Sequence, residues 1–140
     1  MKRGLVAVLL LASLMMGCSG SQSPACYPVG GQVLWGDQPL AEAMIVLHLR
    51  SERPPGVPQP IAWTDAEGHF VVTTFSPGDG APSGDYAITI ERRQLREVGD
   101  ELTRDGPNEL PLPYARPETS GFQVTVGRES VTIPPLRIQP

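Results

Sequence analysis

The chain has 140 residues, enough for one domain of ordinary size with little left for a second. Its formal charge is −4, which becomes −6 without Lys2 and Arg3. An acidic surface repels phosphate backbones, so the charge argues against nucleic acid as a partner. The 16 prolines and 15 glycines divide the apolar residues into short runs. This composition indicates an all-β domain, because Pro and Gly separate short strands and would break helices.

Residues 1–17 have the features of a cleaved export signal. Lys2 and Arg3 form a positive n-region, and an apolar run over 5–16 follows that is too short for a stable membrane span. The Leu-Met-Met-Gly-Cys sequence ending at Cys18 resembles a bacterial lipobox, in which the cysteine is acylated and becomes the new N-terminus. The resemblance implies palmitate-type lipidation at Cys18, and several acyl chains would hold the protein firmly to a membrane. An ordinary signal peptide with a coincidental cysteine is the alternative.

Residues 18–26 are predicted to be the acylated cysteine and a flexible tether, and residues 27–140 the folded domain. Ser19 follows the cysteine, a residue that the lipoprotein pattern allows for transport to an outer membrane. We therefore expect an exported protein, lipid-anchored in the cell envelope, at its outer membrane. Cys26 is the remaining thiol of the mature chain. We expect it to be buried or inert, and an intermolecular disulfide is the alternative.

Period-2 alternation between turn residues predicts an antiparallel sheet. The predicted strands are 29–35, 43–49, 60–64, 70–75, 86–90, 121–126 and 131–138. We predict that 70–75 and 86–90 form the central pair, each strand covered on one side. The Asp-Ala-Glu-Gly turn at 65–68 requires a positive φ at Gly68. Tyr86 is placed like a tyrosine corner, with a buried ring and a hydroxyl bonded to nearby backbone.

The segment 91–120 has no clear strand pattern. Three apolar residues have helical spacing: Leu95, Val98 and Leu102. We therefore predict one short amphipathic helix over 93–102, although Gly99 would cost it about 1 kcal/mol. The basic cluster in this segment is interpreted as solvated surface; it consists of Arg92, Arg93 and Arg96.

Four short motifs resemble those of carboxypeptidase regulatory-like domains. They are V-x-G-x-V at 29–33, P-L-x-G-A at 39–43 with Glu42 in place of the glycine, T-D-x-x-G-x-F at 64–70, and G-x-Y at 84–86. The resemblance implies a transthyretin-like or Ig-like antiparallel β-sandwich of about seven strands. The chain is also similar to a subgroup of small bacterial envelope lipoproteins that consist of a single such domain. These motifs are turns and core positions, so the resemblance implies a fold and no catalytic residues.

No sequence pattern of a nucleophile elbow, zinc protease, redox pair or phosphate-binding loop is present. His48 and His69 lie on predicted strands, where a hydrogen-bonded sheet histidine is the simpler interpretation. Two pairs of turn carboxylates are candidate calcium ligands: Asp65 with Glu67, and Asp79 with Asp85. Their spacing differs from an EF-hand, and such residues usually bond their own backbone. We expect no enzyme activity, no cofactor and no metal.

Two functions remain open. In the first, the sandwich is a non-catalytic structural or docking module for an unknown envelope protein. In the alternative, it binds an envelope or extracellular polysaccharide, because aromatic rings near strand ends can stack on sugars. The candidate stacking residues are Tyr27, Trp35, Trp63 and Tyr114. Partial burial of these rings at the rim of the core is the competing explanation.

Overall fold

The structure is a computed structural model that describes residue 20 and residues 22–140, so the predicted signal peptide and Cys18 lie outside the described residues. The described chain is nearly all β. No helix in this part of the chain is both long and apolar enough to cross a bilayer. The strands are β1 Cys26–Tyr27, β2 Val29–Trp35, β3 Gln38–Pro39, β4 Met44–Leu49, β5 Ile61–Trp63, β6 His69–Val71, β7 Ala81–Pro82, β8 Gly84–Glu91, β9 Arg96–Val98, β10 Glu101–Thr103, β11 Phe122–Val126, β12 Val131–Thr132 and β13 Leu136–Ile138, with one 3₁₀ helix at Leu112–Ala115.

Two packed sheets form the predicted β-sandwich. The first is antiparallel, with the strand order β11-β8-β4-β5. The second is built around β2, which pairs antiparallel with β6 and β3 and parallel with β12 and β13. Pro134 and Pro135 separate β12 from β13. Because proline has no N–H to donate, this broken strand is confined to the sheet edge.

The core lies between the two sheets. Ile45, Leu47 and Ile88 face it from the first sheet, and Val33 and Ile138 face it from the second; each is 0% exposed. Full burial of each such side chain contributes about 1.5–3 kcal/mol. This shared apolar layer orients the strands, and with them the side chains that point outward.

The predicted central pair is wrong, because its two strands belong to different sheets. β6 pairs with β2, whereas β8 lies between β4 and β11. After β6, Thr73 pairs with Ile61, and β7 then pairs with β1. The connection therefore crosses from one sheet to the other instead of closing a hairpin. The alternation in 70–75 was read correctly, since Phe70 and Val72 are buried and Val71 is exposed.

The prediction that 86–90 is covered on one side is also wrong. Ala87 and Thr89, which point away from the core, are only 6% and 4% exposed. Small side chains on a central strand are covered by longer neighbours on the flanking strands. His48, directly opposite Ala87 on β4, bonds the hydroxyl of Thr89 in this way.

The predicted helix over 93–102 is wrong as well. Strands β9 and β10 form a hairpin in which Val98 pairs with Glu101 across a two-residue turn. Gly99 opens that turn at φ +64°. Such a glycine favours a tight hairpin and disfavours a helix interior, so the turn overrides the apolar spacing. We call residues 92–109, which include this hairpin, the arm; Glu109 N donates to Arg92 O at 2.8 Å and closes its base.

Two local predictions are confirmed. The Tyr86 ring is 2% exposed, and its hydroxyl donates to Pro82 O at 2.8 Å, which is the predicted tyrosine corner. Gly68 has φ +75°, and its N–H donates to Asp65 O at 3.0 Å. A Cβ at Gly68 would lie 2.5 Å from the Val33 carbonyl oxygen, so the close approach also requires glycine.

Candidate functional site

The candidate site lies on the outer face of the first sheet. Trp63 on β5 is directly opposite Met44 on β4, and Met44 is directly opposite Glu91 on β8. The neighbouring residue Ala62 is 3% exposed, so the alternation of the strand turns Trp63 outward. The Trp63 side chain is 51% exposed, which is unusual for a large aromatic ring.

The arm supplies two arginines beside the row formed by Trp63, Met44 and Glu91. Arg93, Arg104, Met44, Trp63 and Glu91 line a small depression of about 70 Å³, which we call the Trp63 site. Arg93 Nε donates to Glu91 Oε2 at 3.0 Å. Arg104 Nη1 donates to the carbonyl oxygen of Arg93 at 3.0 Å, which fixes the two strands of the arm beside the ring.

Glu42 completes the rim of the Trp63 site. Its carboxylate accepts a hydrogen bond from Arg104 Nη2. Glu42 has φ +59°, and it is the one non-glycine residue with a positive φ in the described part of the chain. Its N–H donates to Thr64 O at 3.0 Å, next to Trp63 in the chain. A left-handed conformation costs a side-chain-bearing residue about 1–2 kcal/mol, and such strain is concentrated at functional sites.

The polar groups of the Trp63 site are partly free. Within residues 22–140, Glu91 Oε1 and Arg93 Nη1 have no hydrogen-bond partner in the protein. A carboxylate oxygen accepts hydrogen bonds and a guanidinium nitrogen donates them. The site therefore offers an exposed indole face together with one free acceptor and one free donor group.

The other predicted stacking residues do not join this site. Trp35 and Tyr27 are half-buried against the core, and Arg92 lies 5.1 Å from the centroid of the Trp35 ring. Tyr114 stacks on Phe122 with a centroid separation of 5.6 Å and an interplanar angle of 15°. Its hydroxyl accepts from Gln139 N at 2.9 Å. Partial burial explains these three rings, and Trp63 is the predicted aromatic residue that it does not explain.

The His48 side chain is bonded at both ring nitrogens, as expected of a sheet histidine. Gln59 Nε2 donates to Nδ1 at 3.0 Å, so Nε2 bears the proton that is donated to Thr89 Oγ1 at 2.8 Å. Burial lowers the pKa of His48, and the Glu118 carboxylate partly opposes this effect. A neutral, fully bonded imidazole is a structural group with no free nitrogen for a ligand.

The Cys26 thiol is held in its protonated form. Burial raises the pKa of Cys26, and the nearby Asp79 carboxylate raises it further. A protonated thiol is a poor nucleophile, which supports the expected inertness of Cys26. Asp79 in turn accepts backbone hydrogen bonds from residues 74–76, at 2.8, 3.0 and 3.0 Å.

Three of the four turn carboxylates named as calcium candidates, those of Asp65, Asp79 and Asp85, bond groups of their own chain. Asp65 Oδ1 accepts from the N–H groups of Glu67 and His69 at 3.0 and 2.9 Å. Asp85 accepts from the Thr125 hydroxyl at 2.7 Å. Across residues 22–140, His, Cys, Asp and Glu side chains do not gather in a group of three or more that could hold a metal ion.

A second cavity, of about 140 Å³, lies at the opposite end of β4. It is mostly apolar and includes Leu47, Leu49 and Pro24 in its lining. Its lining also includes Arg53 and Ser83, but no exposed aromatic ring on which a sugar could stack. Because Pro24 belongs to the predicted tether, the tether leaves the domain at the end opposite the Trp63 site. The six residues of β4 separate the two ends by about 20 Å.

Sequence reasoning found Trp63 but missed the residues around it. Arg93 was interpreted as solvated surface, and Glu42 was noticed only as a replacement for glycine. No local pattern connects Glu42, Glu91, Arg93 and Arg104, since they come together only when the arm folds beside β4 and β5. The one sequence feature that pointed to this cluster was Glu42, a charged residue at a position suited to glycine.

No protein-family model matches the sequence, and no curated protein matches it. Three solved structures share features of its fold. A 9R-lipoxygenase from Cyanothece PCC8801 is 14% identical with a TM-score of 0.43, over 86% of this chain and 18% of that one. A DUF3823 family protein from Parabacteroides merdae ATCC 43184 is 10% identical with a TM-score of 0.43, over 84% of this chain and 48% of that one.

The third is a Pseudomonas aeruginosa protein proposed to be a carbohydrate binding protein. It is 16% identical with a TM-score of 0.42, over 85% of this chain and 91% of that one. The chain thus spans less than half the length of the first two proteins. Likeness at this level of identity and TM-score does not indicate a shared function.

Proposed function

We propose that this protein is a non-catalytic envelope lipoprotein, anchored through Cys18 at the outer membrane, that binds a polysaccharide at the Trp63 site. Its sandwich would be a carboxypeptidase regulatory-like domain, on the strength of the sequence motifs. The observation that supports the binding function is the exposure of Trp63 on the outer face of the first sheet, where 51% of the residue is accessible. An exposed indole covers the apolar C–H face of a sugar ring and leaves its hydroxyls at the edge.

The polar groups of the site fit the sugar hydroxyls. The free oxygen of Glu91 accepts from one hydroxyl, and the free nitrogen of Arg93 donates to another. The depression of about 70 Å³ is far smaller than the roughly 300–1,000 Å³ of a small-molecule pocket. A small depression suits one ring of a long polymer that continues past the site.

The position of the tether supports the anchored arrangement. Pro24 lines the cavity at the far end of β4, so the lipid at Cys18 would approach the domain from that end. The Trp63 site then faces away from the membrane. A polymer in the surrounding space can reach it without displacing the domain from the bilayer.

The test is retardation of the detergent-solubilised full chain in native gels that contain isolated envelope polysaccharide. We expect retardation that a soluble glycan competes away, and its loss in Trp63→Ala with unfolding unchanged. Trp35→Ala is the matched control, because it removes an indole that packs against the core. It should lower the unfolding midpoint and leave retardation of the folded fraction intact. A Trp63→Ala protein that is folded and still retarded would refute the binding role.

A protein-docking function is the second candidate, and the arm is the observation that favours it. Leu95, Val98 and Leu102 are 53%, 53% and 69% exposed. Exposed apolar side chains are typical of an interaction surface, and the register that pairs Leu102 with Glu97 places Leu102 on the opposite face of the hairpin from Val98. Cross-linking in cells should then recover a reproducible partner that Leu95→Ser with Leu102→Ser no longer captures. Equal capture by wild type and this double variant would count against docking through the arm.

A further inference from the structure

We infer that the Trp63 site selects a neutral polysaccharide over an acidic one, which carries uronate or sulfate groups. This inference deepens the proposed function and rests on it. Each charge that lines the site has an opposite charge beside it. Arg93 pairs with Glu91 at 3.0 Å, and Arg104 pairs with Glu42. The two arginines and two glutamates leave the rim of the indole with no net charge.

The pairing also limits what each arginine can offer. Arg104 directs one terminal nitrogen to Glu42 and the other to a backbone carbonyl, and its side chain is only 19% exposed. Arg93 is more open, at 46%, but its charge lies against the Glu91 carboxylate. A carboxylate on a sugar would have to compete with Glu91 for the same guanidinium. A hydroxyl needs only the free Nη1 hydrogen atoms and meets no such competition.

The surroundings of the site oppose anionic polymers further. Three carboxylates of the arm have no cationic partner within 4.0 Å in the part of the chain that the structure describes: Glu97, Asp100 and Glu101. Their field repels a polyuronate as it approaches the site.

The Glu91–Arg93 pair can also bond two sugar hydroxyls at once. Arg93 contacts Glu91 Oε2 through Nε and Nη2, so its free Nη1 points away from Glu91, and the free acceptor and the free donor lie on opposite sides of the ion pair. Sugar hydroxyls each donate and accept hydrogen bonds, so two separate hydroxyls can bond these two groups. Such a two-point contact is specific in geometry and does not depend on a charge on the ligand.

The experiment compares native-gel retardation of the full chain by neutral and acidic polysaccharides. The neutral probes are laminarin, galactomannan and hydroxyethyl cellulose, and the acidic probes are polygalacturonate and alginate. We expect retardation by at least one neutral probe, equal at about 20 mM and 300 mM NaCl, and none by either acidic probe. Retardation by an acidic probe that weakens with salt would overturn the neutral assignment and leave the proposed function standing. No retardation by any probe would overturn both.

A variant that removes the ion-pair partner of Arg93 tests how the site excludes acidic polymers. Glu91→Gln leaves Arg93 without its partner, so polygalacturonate should retard this variant at low salt, although it does not retard wild type. This retardation should disappear at high salt. Glu109→Gln is the matched control, since it frees Arg92, which lies over Trp35 outside the Trp63 site. Equal retardation of the two variants would show a general charge effect and refute selection by the Glu91–Arg93 pair.

Discussion

Glu42 accepts a hydrogen bond from Arg104, 62 residues further along the chain, while its own backbone is held at φ +59°. The motif that this segment resembles has glycine there, and glycine adopts that conformation without strain. A glutamate in its place adds steric cost at the entrance to β4. In this conformation the Glu42 side chain bonds Arg104 and holds it at the rim of the Trp63 site.

We expect Glu42→Gly and Glu42→Asn to weaken polysaccharide binding while changing the free energy of unfolding by less than about 1 kcal/mol. Both residues tolerate a positive φ, so the relief of strain offsets the loss of an exposed ion pair. Urea unfolding and gel retardation measure the two effects. If both variants bind like wild type, Glu42 does not position the site.

The tyrosine corner should contribute to stability alone. Tyr86→Phe removes the bond to Pro82 O and should destabilise the protein by about 0.5–1.5 kcal/mol. Tyr86→Ala also empties a buried position and should cost about 3–5 kcal/mol. Urea midpoints would show both changes. Loss of polysaccharide binding by folded Tyr86→Phe would contradict the assignment of this residue to the core.

Asp79 should make stability depend on acid. Burial opposes ionisation of Asp79, but three backbone N–H bonds outweigh it and lower the pKa of the carboxyl. A lowered pKa means that its contribution is full above the unfolded value of about 3.9 and is lost as pH falls through the folded value. The stability gap between wild type and Asp79→Asn should therefore shrink between about pH 5 and pH 2. A gap that stays constant in urea titrations across this window would refute the role.

The Cys26 thiol should react slowly in the folded protein. Its raised pKa leaves less thiolate near pH 8, so iodoacetamide should label Cys26 more slowly in the folded protein than in the same chain unfolded in urea. Mass spectrometry of the Cys26 peptide gives both rates. A dimer band on non-reducing gels, absent in Cys26→Ser, would instead reveal the intermolecular disulfide.

Lipidation is tested at Cys18. Wild type should incorporate labelled palmitate in a bacterial host and sediment with membranes, and Cys18→Ser should do neither. Cys26→Ser is the control because it removes the other cysteine and leaves the lipobox-like segment intact. Unlabelled wild-type protein found in the soluble fraction would favour an ordinary signal peptide.

The fold class and the longer strands can be predicted from local sequence patterns. Alternation places Phe70 and Val72 inward, Gly68 marks the turn before β6, and Tyr86 marks the corner after Pro82. These features are set by neighbouring residues, because side-chain period and turn geometry act over a few positions. The exposed Trp63 was likewise identified as a candidate by its place in the chain.

The pairing of the strands and of the charged side chains depends on the folded chain. β6 and β8 lie close together in the chain, but the core assigns them to opposite sheets. The arm became a hairpin because a glycine turn prevailed over helical spacing. Glu42 and Arg104 meet only because the arm folds back beside the first sheet. Contacts between distant residues depend on the packing of the whole chain, and no local pattern encodes them.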